Sequence, residues 1–70
     1  MAIKEKQITN DFEKEELVFV VINLDTDNIV TKGSLRPSNS ITIQFDDSYS
    51  NILVLYNKLN PEDCGLIKLS

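Results

Sequence analysis

The residues best equipped for chemistry are four aspartates in two polar stretches, Asp25 and Asp27 in Asp25-Thr26-Asp27-Asn28, and Asp46 and Asp47 in Asp46-Asp47-Ser48-Tyr49-Ser50-Asn51. Carboxylates in neighbouring loops offer hard oxygen ligands of the kind calcium takes, with Thr26, Ser48 and Asn51 as further donors. The spacing is not that of an EF-hand: the glycine required at the sixth position is Val30 and the glutamate required at the twelfth is Arg36. The other use of such residues is an acidic recognition surface, and Tyr49, flanked by serines, is the aromatic best placed to join it. Asp25, Asp27, Asp46, Asp47 and Tyr49 are therefore the candidate partner-binding set. A basic groove on another protein, including one that normally holds phosphates, is the complementary surface, because opposite fields accelerate encounter.

Other chemistries find little material. There is no histidine, and the single cysteine, Cys64, has only Lys58 and Lys68 as nearby cations in sequence, so no nucleophile–base pair is evident. Cys64 reads as a buried or half-buried thiol beside a turn. One thiol without histidine makes neither an intrachain disulfide nor a zinc set. The two glycines, Gly33 and Gly65, form no phosphate cradle. Phe12, Phe19, Phe45, Tyr49 and Tyr56 are not interleaved with basic residues, as a base-stacking platform requires; Phe19 and Phe45 read as core. No catalytic residue, cofactor or metal is assigned, and the chain is expected not to be an enzyme.

The 70 residues are 41% apolar and 26% charged, with a formal charge of −4 and a pI near 4.5. This is the composition of one small globular domain whose acidity opposes direct contact with nucleic acid or anionic membranes. A chain this short buries only about 60% of its unfolded surface, so self-association or docking is the expected supplement to its core. Nothing in the opening residues reads as a signal peptide and no apolar run approaches the roughly 20 residues of a membrane span, which predicts a cytoplasmic address.

These residues need elements to position them. Residues 1–16 are charge-dense and read as an N-terminal arm, within which Asn10 and Glu13 have capping-box spacing for a short helix ending near Leu17. Residues 17–70 read as a single β-rich domain. Leu17–Leu24 is a β-branched central strand, and Ile29–Leu35 completes a hairpin with it. Arg36-Pro37-Ser38-Asn39 is turn chemistry. From Ser40, Ile41, Ile43 and Phe45 alternate with Thr42 and Gln44, the period of a half-buried strand. Ile52–Tyr56 is apolar on both faces, Asn60-Pro61 can start one helical turn, and Gly65–Leu69 makes a short last strand. About five strands with short connections predict a mainly β fold, an antiparallel sheet folded into a small sandwich or partial barrel. Alternate loops of an up-and-down sheet share an end, which sets residues 25–28 beside residues 46–51. Two strands apolar on both faces exceed what one thin sheet covers, so a homo-oligomer is expected.

A very short acidic chain with a charged arm and no catalytic set resembles, in general character, the accessory inhibitors encoded by phages and mobile elements, including anti-CRISPR and other anti-defence proteins. The likeness implies a stoichiometric inhibitor or regulator that covers a surface on a partner protein. The alternatives are a self-associating assembly subunit and a calcium- or carbohydrate-binding β module.

Overall fold

The computed structural model describes residues 2–70, and the fold is mainly β. Six strands follow in order: β1 (Ile3–Thr9), β2 (Leu17–Asn23), β3 (Asn28–Leu35), β4 (Ser40–Asp46), β5 (Asn51–Asn57) and β6 (Cys64–Lys68). They form a four-stranded antiparallel sheet in the order β3-β2-β5-β6 and a two-stranded antiparallel sheet of β1 and β4. Among the described residues there is no helix, and so none long and apolar enough to cross a membrane.

The small sheet lies on one face of the large one. Phe19 and Val21 of β2, Leu53 of β5 and Leu35 of β3 meet Ile43 of β4 and Ile8 of β1 in one buried cluster, with Leu17, Leu55 and Leu69 packed around it. Period-two alternation decides which residues point inward: β2 buries Phe19, Val21 and Asn23 and β5 buries Asn51, Leu53 and Asn57, with Leu17 and Leu55 half-buried in the same series, and the intervening residues face the other way. Phe19 and Phe45 are both buried, as expected of core aromatics. Phe19 pairs with Gly33 of β3, where a Cβ would stand 2.9 Å from the ring's Cζ, so glycine is what lets the ring lie flat across β3. A bulge at Val21/Ile22 follows in the same β2–β3 ladder.

The structure departs from the expected elements in four respects. The charged arm over residues 1–16 carries a sixth strand, β1, registered against β4 from Ile3↔Asp46 to Thr9↔Ser40. Ile8 is its only buried residue, so the strand is fixed by its partner and not by a pattern of its own. Asn10 caps no helix: it is fully buried, its Oδ1 accepts from Phe12 N at 3.0 Å, and its Nδ2 donates to Glu15 O at 2.8 Å and Leu35 O at 3.0 Å. At Asn60-Pro61 the chain makes hydrogen-bonded turns, with Asp63 N donating to Asn60 O at 2.9 Å, in place of a helical turn. The connectivity is also not up-and-down, since β4 leaves the large sheet to pair with β1 and β5 takes its place beside β2.

Candidate functional site

The exchange of β4 for β5 builds the acidic end. Antiparallel pairing of β2 with β5 ends at Asn23↔Asn51, so the turn after β2 and the loop before β5 emerge side by side. Two hydrogen bonds join them: Leu24 N donates to Ser50 O at 2.8 Å, and Ser50 N donates to the Asp25 carboxylate (Oδ2) at 2.7 Å. The proximity expected from alternate loops is present, produced by a different strand order.

Buried asparagines hold both loops from below. Asn23 Oδ1 accepts from Asp25 N at 3.0 Å and Thr26 N at 3.2 Å, which winds the turn tightly and leaves Asp27 in the left-handed region at φ 57°. Asn51, 1% exposed, directs its amide to Asp46 O at 2.7 Å, Tyr49 O at 3.1 Å and Ser70 Oγ at 3.0 Å. Ser70 Oγ in turn donates to Tyr49 O at 2.6 Å. Asn57 and Asn10 act similarly at the far end, where Asn57 Nδ2 donates to Glu15 Oε2 at 2.7 Å and its Oδ1 accepts from Leu59 N. Nothing in a hydrophobic pattern marks these four asparagines; the available signal is their recurrence at strand ends next to turn residues.

The four aspartates take different roles. Asp25 is the clamp between loops. Asp46 accepts from Ser48 N at 2.9 Å, and this bond holds its carboxyl below the ordinary value. Asp27 and Asp47 have no side-chain hydrogen bond or ion pair among the described residues; Asp27 is exposed and Asp47 half-buried, its N–H donating to Ala2 O at 2.9 Å. Tyr49 is 42% exposed on the same loop, its main chain pinned by Asn51 and Ser70. The arrangement is a braced pair of loops on which Tyr49 and Asp27 are exposed and Asp47 is half-buried. Among the described residues no three His, Cys, Asp or Glu side chains gather into a set that could hold a metal ion.

Elsewhere, Cys64 is exposed on the edge strand β6, all of whose residues are exposed, and is not the buried or half-buried thiol expected. A groove of about 430 Å³ lies between Thr9, Asp11 and Phe12 on one side and Cys64 and Gly65 on the other, with Leu17 and Leu55 also lining it. At the far end Glu16 accepts from Lys58 Nζ at 3.0 Å, which holds the Glu16 carboxyl below its ordinary value.

The fold and the acidic end define a small two-sheet antiparallel β protein with a braced loop platform. No protein family, curated protein or solved structure matches the chain.

Proposed function

We propose that this protein is a non-enzymatic binding module that acts by occupying a basic surface of a partner protein through its acidic loop end. The observation that carries the reading is the Asp25–Ser50 clamp at 2.7 Å, which makes one surface of two loops and leaves Asp27, Asp47 and Tyr49 to meet a partner. A surface fixed before binding loses little entropy on contact, and an exposed tyrosine beside carboxylates supplies contact area together with charge. A formal charge of −4 adds long-range attraction toward a basic groove. This is the chemistry of a stoichiometric regulator, of which the phage-type anti-defence inhibitors are one kind.

The test is co-purification from the source cell, comparing wild type with Asp27→Lys/Asp47→Lys and with Tyr49→Ala. A partner retained by wild type, released by rising salt and lost with the charge-reversed pair supports the reading. Retention unchanged by both variants contradicts it.

A further inference from the structure

The face of the large sheet turned away from the core has a composition that the loop-end reading does not use. Residues paired across an antiparallel ladder share a face. The rows Val18↔Tyr56, Val20↔Val54 and Ile22↔Ile52 therefore lie on the outer side of β2 and β5, opposite Phe19, Val21 and Leu53. On the flanking strands, Leu66 of β6 pairs with Val54 and Ile29 of β3 with Ile22, and they are 71% and 58% exposed. Among the described residues no second layer lies on this face, since the β1–β4 sheet packs on the other one.

We propose that a second copy of this chain covers that face, giving a closed dimer in which two four-stranded sheets pack outer face to outer face. Two arguments select a second copy. The first is area. Four strands about 4.8 Å apart and roughly 20 Å long present about 400 Å² in plan and somewhat more as accessible surface. Two such faces together remove around 1,000 Å², the extent at which specific interfaces begin. The central positions are mostly β-branched Val and Ile, whose stiff side chains lose little rotamer freedom on packing.

The second argument is charge. The face carries two lysines, Lys32 on β3, paired with Val20, and Lys68 on β6, paired with Ile52. They sit on the two opposite edge strands, leaving the centre uncharged. Turning a copy about an axis parallel to the strands lays its β3 over the other's β6. Each Lys68 then approaches the partner's Asn28–Ile29 end, beside exposed Asp27, and each Lys32 meets Leu66 at the rim, where its ammonium can reach water. An axis across the strands stacks Lys32 on Lys32 instead. The face is thus complementary to itself in one orientation and repels itself in the other.

The test is sedimentation equilibrium of the full chain over a wide concentration range, for wild type and for the single variants Leu66→Lys and Ile29→Lys. Both positions are largely exposed in the protomer, so its fold tolerates them, and unchanged far-ultraviolet circular dichroism confirms this. The proposal expects a monomer–dimer equilibrium for wild type and at least a tenfold weaker dimer for each variant. A wild type that stays monomeric throughout overturns it, as does a dimer indifferent to both substitutions or growth beyond the dimer.

Discussion

Substituting Gly33 by alanine tests the packing that joins β3 to the core. The new Cβ would lie 2.9 Å from Phe19 Cζ and 3.1 Å from Cε1, where carbon atoms prefer about 3.5–4.0 Å. The ring cannot swing away cheaply, because Phe19 is only 2% exposed within the central cluster. Forcing one methyl into such a site costs about 1–3 kcal/mol. Against this stands a gain of about 0.4–1 kcal/mol from the stiffer unfolded chain. The balance is a loss of about 1–2 kcal/mol, which in a domain of this size lowers Tm by roughly 5–15 °C. Thermal melts followed by circular dichroism read it directly. Phe19→Leu removes the opposing atoms, so Gly33→Ala should be better tolerated in that background, with a coupling of about 1 kcal/mol in a double-mutant cycle. A Gly33→Ala protein as stable as wild type, or a strictly additive cycle, would refute the reasoning.

Gly65→Ala is the matching control: its Cβ meets nothing within 4 Å, so Tm should hold or rise slightly in the same melts. Asn51→Ala strips Asp46 O of its amide donor and weakens the hold on Tyr49 O, and a loss of about 2 kcal/mol is expected from urea unfolding, with the loop of residues 47–50 losing amide protection first. The carboxyls of Glu16 and Asp46 both lie below their ordinary values of 4.5 and 3.8, the first chiefly through Lys58 and the second through Ser48 N. A depressed folded-state pKa contributes stability that is present above the ordinary value and lost as pH falls through the folded one. Melts should therefore be level toward neutrality and decline below about pH 4.5, and Asp46→Asn should flatten part of that decline.

Four strands were legible because apolar, β-branched runs or alternation record them: Leu17–Leu24, Ile29–Leu35, Ile41–Phe45 and Ile52–Tyr56 each match a strand within a few residues. β1 left no such record, since Ile8 alone is buried and Lys4, Glu5 and Lys6 face solvent on a sheet of two edge strands. Its pairing depends on β4, which lies over 30 residues away, and no local pattern encodes that. Pairing order escaped for the same reason: the sequence neighbours β3 and β4 are separated by Pro37 and by Ser38 at φ 65°, and that turn carries β4 into the second sheet. The candidate loops were legible as polar insertions and do lie together. What the residue types concealed was their division of labour, because Asp25 and Asp46 are spent on backbone N–H groups while Asp27 and Asp47 are not. The excess of apolar surface on β2 and β5 was visible as a count, and the structure resolves it into one covered face and one open face.

The central claim, that the braced loop end is the surface offered to a partner, is tested most directly by placing a photo-crosslinking amino acid at Tyr49 and irradiating the source cells. The account predicts a discrete crosslink to one heterologous protein with a basic surface, lost when Asp27→Lys/Asp47→Lys is added. No crosslink at Tyr49, or one that survives the charge reversal, would contradict it.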